Sequence, residues 1–406
     1  MRVAVLGAGL TGSLVALELV EAGHEVTLFD RQAQPFCGAS LNCEGKVHLG
    51  YVYALDQSRR TALRMLQGAA VFRPLIARWT GEALFDRALS RPFLYAVPND
   101  SLLPVAAIEA HFRAIAEAAQ EMRAGPAPGP DGRLDWESLP RATYGQTFDP
   151  DRIVAVLQTE ERGLDVAELS GAIRAALAAA PRLLLRMGCQ IERVSQVAGG
   201  YAVEGQEGDT ALNERFPVVV NALWEHRVHI DATLGLPVGR ALVHRFKYGL
   251  VSDRTEALAA IPNVTFLIGT YGDAVRYDGS VFLSWYPSGL VSQEIGVRPN
   301  RQDLLPDAAR QEEIVQGTLD NLARLMPGAA AALRPGVADW TLKGGFITAW
   351  GKTGIEDAES ELHQRYDVGV YSQGDYHSID TGKLTLAPEL AAEACARILA
   401  RHGGTR

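Results

Sequence analysis

The sequence predicts an α/β fold, a Rossmann-like domain with an inserted antiparallel-sheet (α+β) domain. Three observations carry this. Residues 1–30 read strand, glycine-rich turn, helix, strand, acid. Residues 241–251 and 281–286 alternate apolar and polar side chains, as half-buried antiparallel strands do. A strand and a helix then return near the C-terminal end.

The first unit is the most informative. Arg2 to Leu6 form a short buried strand, followed at once by Gly7-Ala8-Gly9-Leu10-Thr11-Gly12. Ser13 to Ala22 continue as an apolar helix, and Glu25 to Phe29 form a second strand ending on Asp30 and Arg31. This is the dinucleotide-binding fingerprint in its proper context. Gly7 permits the tight turn, Gly9 lets backbone approach a pyrophosphate, and Gly12 lets the helix pack close to the strand. The helix N-terminus presents unpaired N–H groups and partial positive charge to phosphate. Asp30 is placed to accept hydrogen bonds from a ribose hydroxyl.

Helical spacing recurs over residues 54–79, 164–181 and 303–333, the second with Asp165 near its start. Ala124 to Gly132 carry three prolines and three glycines, an exposed-loop composition. Cys189–Val197 and Tyr201–Glu204 read as short strands, Phe216–Ala222 as a buried one and Val368–Ser372 as another. Pro388 opens a last helix as a first-turn residue. The expected division is 1–80, 150–236 and 346–406 for the nucleotide-binding domain, and 81–149 and 237–345 for the substrate domain.

Composition bounds the function. The 406 residues are 47% apolar, enough for a sizeable core, and the net charge is −9. Lysine and arginine are dispersed, which argues against a nucleic-acid partner. No uninterrupted run of about 18 apolar residues predicts a transmembrane segment. The four cysteines have neither metal-ligand spacing nor disulfide density, which fits a cytoplasmic protein. His226 and His229 lack a third ligand at useful spacing, so no metal is expected.

Three segments separate FAD from NAD. Ser40 to Tyr53 contain Asn42-x-x-Gly45-x-x-His48-x-Gly50-x-x-Tyr53, with Val47 beside the histidine. This run resembles the loop after the second strand in FAD-dependent oxidoreductases of the D-amino-acid oxidase superfamily. It is most similar to the L-2-hydroxyglutarate dehydrogenase branch. Val218-Val219-Val220-Asn221-Ala222 resembles the superfamily's strand ending in Asn-Ala, although Leu223-Trp224 replace the usual small residues. Gly374 to Thr385, with Asp380-Thr381-Gly382-Lys383-Leu384-Thr385, is similar to the C-terminal flavin loop, nearest glycerol-3-phosphate dehydrogenases.

The resemblance implies a FAD enzyme that takes hydride from a carbon bearing a hydroxyl or an amine of a small polar substrate. The two branch likenesses lean towards the hydroxyl, with an amino-acid or amine oxidase as the alternative. A flavoprotein without net oxidation (an isomerase or scaffold) and an NAD-binding dehydrogenase are the competing classes. Oxygen, a quinone or another carrier would reoxidise the flavin. The backbone amides of Thr381-Gly382-Lys383-Leu384 suit the negative charge that develops on a reduced flavin.

Three roles are open to His48: general base, covalent attachment point for flavin, or structural histidine. His377 is a second candidate base, and Cys43 reads better as a small buried side chain than as a nucleophile. Tyr53, Arg240, Arg245, Trp285 and Tyr286 are the candidate substrate residues, with Lys247 beside them. An arginine fork would hold a carboxylate or phosphate at two points. Trp285 and Tyr286 point to opposite faces of one strand, so at most one faces the pocket.

Overall fold

The computed structural model describes residues 1–122 and 135–402. The proline- and glycine-rich stretch 124–132 lies outside them. Two sheets face one central cleft. The first has the order 369–373, 376–380, 218–221, 2–6, 25–30, 183–187. It is parallel throughout except for its edge hairpin, where Val370 pairs antiparallel with Ile379. Its three central strands, 2–6, 25–30 and 218–221, are largely buried apolar runs because both faces are covered, one by helices and the other by a small antiparallel sheet. Helix Leu10–Glu21 packs against helix Ala387–His402 from the far end of the chain.

The second sheet has nine strands among the described residues, in the order 290–295, 242–252, 281–285, 272–276, 264–266, 94–98, 153–159, 136–138, with 341–350 pairing 242–252. The alternating segments read from sequence are its strands Leu242–Ser252 and Val281–Trp285, paired antiparallel. The expected segment boundaries differ in two places. Strand Ile153–Thr159 pairs with Leu94–Pro98 in this sheet, although it follows residue 150. Strand Thr341–Trp350 runs through the boundary at 346, with Phe246 opposite Phe346. A three-stranded antiparallel sheet, 189–197, 200–207 and 210–216, packs beside the first one.

Helix Val166–Ala179 ties the two sheets together at its start. Asp165 caps it, with Oδ1 accepting from the Ala167 N–H at 2.8 Å, while Oδ2 accepts from the Ser280 hydroxyl at 3.0 Å. Asp165→Ala is expected to lower unfolding free energy by about 1–2 kcal/mol, since the cap alone is worth about 1 kcal/mol. Denaturant unfolding with an unchanged m-value would record it.

Candidate active site

The cleft between the sheets has a volume of about 430 Å³ and runs from the glycine-rich turn to the face of the large sheet. At one end stands the fingerprint. Gly7 adopts φ +96°, and a Cβ there would sit 2.5 Å from the Ala222 carbonyl oxygen. A Cβ at Gly12 would overlap the Gly7 carbonyl oxygen. Helix Leu10–Glu21 starts at Gly9 with no side-chain cap, and the Ser40 hydroxyl accepts from the Leu10 N–H at 3.1 Å. The glycines leave the backbone of the turn open to close approach at a helix N-terminus, which fits a pyrophosphate.

Asp30 lines the cleft, and its carboxylate accepts from the Ala8 N–H at 2.7 Å and the Gln32 N–H at 2.8 Å. Burial nonetheless pushes its proton affinity above the ordinary range. Beside it Arg31 donates to Glu225 at 2.6 Å, and Arg301 pairs with the same oxygen.

The middle of the cleft is made by two loops. Thr381, Gly382, Lys383 and Leu384 line it, as do Ser40, Asn42 and His48. The Thr11 and Thr381 hydroxyls meet at 2.9 Å, joining the first turn to the C-terminal loop. Gly382 takes φ +64° in that loop. Burial, then the nearby Arg365 charge, lowers the Lys383 ammonium to about 8. Cys43 is pushed up to about 12, chiefly by burial, so it stands as a thiol rather than a nucleophile.

The far end is cationic. Arg245 is 2% exposed and donates to the Tyr286 hydroxyl at 2.6 Å, while its buried Nε has no hydrogen-bond partner. Arg365 is also buried, and its guanidinium donates to the carbonyls of Leu362 (2.9 Å) and Thr348 (3.4 Å). Burial first, then Arg245, lowers it to about 10. Both line the cleft, and among the described residues neither has a carboxylate partner. The Tyr53 hydroxyl, buried on the same wall, is unpartnered too. Deeper in, Lys46 is paired with Asp273 (3.1 Å) and Thr265, and lies 4.2 Å from the Phe93 ring centroid. Asp273, despite burial, is held below the usual carboxylate range by Lys46 and Lys247.

Other expected residues stand outside the cleft lining. Gly45, at φ +74°, and Val47 shape the backbone under it, and the Thr385 hydroxyl accepts from the His48 N–H at 2.8 Å. Asn221 donates to Asp231 at 2.9 Å and to the Tyr376 hydroxyl at 2.8 Å, in a buried network. Ala222, next to it, does line the cleft. Asp380 accepts from Arg227 (2.9 Å) and Trp350 (2.8 Å), so its carboxylate is committed to structure.

Gly374 turns the edge hairpin, away from the cleft. His377 is buried beside it and meets the Ser372 hydroxyl at 2.9 Å; burial lowers it to about 4. It is not part of the cleft lining, so the second candidate base is placed away from the cleft. Arg240 pairs with Asp367 at 2.5 Å on the surface side of the sheet. Trp285 packs between Phe266 and Tyr271 in the core behind the sheet, and Tyr286, one residue on, faces the cleft. Among the described residues no group of three or more His, Cys, Asp or Glu could hold a metal ion, and no helix is long and apolar enough to cross a membrane.

Sequence reading passed over Arg365, Glu161 and the Lys46–Asp273 pair. Arg365 sits in a stretch with no motif. Glu161 belongs to Glu160-Glu161-Arg162, which reads as a solvated charge run. Only the fold makes its carboxylate wholly buried.

A largely parallel sheet with a glycine-rich turn at a helix N-terminus, facing across one cleft a mixed sheet that carries buried arginines, has the build of a dinucleotide-binding protein. The comparisons refine that class. A family model described as FAD dependent oxidoreductase (DAO) matches residues 2–341. The chain belongs to this family. Its cofactor is therefore FAD, and it is an oxidoreductase, which removes the NAD reading. A D-amino acid dehydrogenase of Rhizobium rhizogenes is 30% identical over 183 residues, 43% of this chain and 42% of that protein. The chain thus spans less than half the length of that curated relative. The glycine oxidase of Geobacillus kaustophilus has the same fold, with a TM-score of 0.65 at 16% identity over 98% of this chain and 95% of the other. So does the L-proline dehydrogenase of P. horikoshii, with a TM-score of 0.66 at 14% identity over 100% and 94%.

Proposed function

We propose that this FAD enzyme oxidises an amine-bearing carbon of a small substrate that also carries a carboxylate, as an amino-acid dehydrogenase or oxidase. The observation that carries the reading is the buried Arg245 guanidinium, tied to Tyr286 and lining the cleft with Arg365, neither having a carboxylate partner among the described residues. A buried charge left unpaired is expensive, so an anionic ligand group is the natural partner. The lean towards a hydroxyl substrate gives way here, because the curated relatives are named D-amino acid dehydrogenases.

FAD supplies the two-electron acceptor, taking hydride from the substrate carbon. The chain's own residues do the rest. Arg245 and Tyr286 hold the carboxylate, and Arg365 and Lys383 add positive potential. The Thr381–Leu384 backbone, which lines the cleft, would stabilise negative charge on the reduced cofactor. His48 lines the cleft and is 4% exposed. Burial lowers its proton affinity and so favours the neutral ring, the form in which it would accept the ammonium proton of the substrate.

Anaerobic mixing with panels of D-amino acids, L-amino acids and 2-hydroxy acids tests the reading. Amino acids are expected to bleach the visible flavin band and hydroxy acids to leave it. Bleaching by hydroxy acids alone would overturn it. Admitting oxygen and assaying hydrogen peroxide then separates an oxidase from an enzyme that needs a quinone or other carrier.

A further inference from the structure

His48 is held by groups that the reading above does not use. Its Nδ1 is buried without a hydrogen-bond partner and stands 3.7 Å from Glu161 Oε1. Glu161 has no exposed surface. Its other oxygen accepts the Leu49 N–H at 2.6 Å, and Tyr95 donates its hydroxyl to Oε1. The ring packs edge-on to Tyr53, with centroids 5.5 Å apart. The charged groups facing it are Glu161, Glu44, Lys46 and Lys383. A wholly buried carboxylate 3.7 Å from an imidazole nitrogen is costly to bury unless polar or cationic groups answer its charge.

We propose that Glu161 is the positioning residue of the active site. Its carboxylate orients the His48 ring with Nδ1–H towards itself, and stabilises the imidazolium formed when Nε2 takes the proton of the substrate ammonium. The proton moves from substrate nitrogen to Nε2, Nδ1 keeps its own, and Glu161 stays ionised throughout. The electron pair leaves the substrate carbon separately, as hydride to FAD. Burial alone would raise the Glu161 carboxyl, but its interaction with His48 and the charges of His48 and Lys46 hold it below the ordinary value. The Tyr95 hydroxyl tempers the same carboxylate, and so sets how strongly it pulls on the ring. This inference rests on His48 being the base.

The sign of the effect follows from charge. Removing the negative charge beside His48 makes imidazolium harder to form, so its pKa falls. Removing the Tyr95 donor leaves more of the Oε1 charge to act on His48, so the pKa rises. NMR titration of the FAD-loaded enzyme with labelled histidine reads this directly, the His48 signal being the one lost in His48→Gln. Glu161→Gln is expected to move that titration down by about 1 pH unit or more, and Tyr95→Phe to move it up. The acid limb of kcat/KM is expected to move with it, and Glu161→Gln to lower kcat about 10–100-fold with KM little changed. An unchanged His48 titration in Glu161→Gln, or a shift of the same sign in both variants, overturns the proposal. Undiminished turnover in His48→Gln overturns the base assignment instead, and the titration still decides whether Glu161 controls the ring.

Discussion

Replacing Arg245 with methionine is expected to lower kcat/KM for an amino-acid substrate about 10²–10³-fold, the loss that follows removal of one partner of a buried charge pair. Methionine keeps the length and flexibility of the side chain and removes the charge. FAD content should not change, because Arg245 lies on the large sheet and the glycine cradle on the other. Lysine should not restore activity. Its ammonium cannot donate at once to Tyr286, 2.6 Å from Nη1, and to a carboxylate through a second nitrogen. Tyr286→Phe tests the same pocket from the other side, with an expected loss of about tenfold, the value of one charged hydrogen bond. Titrating the oxidised enzyme with a non-reacting carboxylate and following the flavin spectrum separates binding from chemistry. If Arg245→Met binds the carboxylate as tightly as wild type, the pocket is not where the substrate acid sits.

The fingerprint was legible because it is local. Gly7, Gly9 and Gly12 fall at a spacing within one strand–turn–helix unit that is readable by itself, although Gly7 also makes room for Ala222 and Gly9 for Ser40. The same holds for Asp165 as a cap and for the alternation in 242–252. The second sheet was legible only in part, since Leu94–Pro98 pairs with residues 153–159 on one side and 264–266 on the other. No short-range pattern encodes a partner so distant in the chain. The active site divides along the same line. His48, Lys383 and Tyr53 lie in segments with a recognisable run, whereas Arg365 and Glu161 acquire meaning only through neighbours brought in by the fold. The hydroxyl lean has the same root. The Asn42–Tyr53 and Gly382–Thr385 runs that suggested it contribute chiefly the middle of the cleft. The groups proposed to select the substrate (Arg245, Tyr286 and Arg365) come from stretches that carry no motif.

Alanine at Gly12 is expected to yield a protein that retains no FAD and is destabilised by about 3 kcal/mol or more, the upper range for forced overpacking. Its Cβ would overlap the Gly7 carbonyl oxygen and touch the Ala222 Cβ at 3.4 Å, with backbone on the first side and no side chain free to swing away. Relief would require helix Leu10–Glu21 to lift from strand Arg2–Leu6. That strand pairs with 25–30 and 218–221, and the helix packs on 387–402, so the displacement would reach the centre of the sheet. Gly9→Ala is the control. Gly9 has ordinary extended backbone at φ −70°, and a Cβ there would meet only the Ser40 hydroxyl at 3.2 Å. Its apoprotein should melt close to the wild-type apoprotein, while the Kd for FAD weakens at least about tenfold because a methyl group now stands on the cleft wall at the helix N-terminus. Measuring apoprotein melting and FAD affinity on both variants separates the two demands on this turn. Close helix–strand packing at Gly12 supports the fold itself, and bare backbone at Gly9 serves the cofactor. Equal losses of both properties in the two variants would show that the turn cannot be divided in this way.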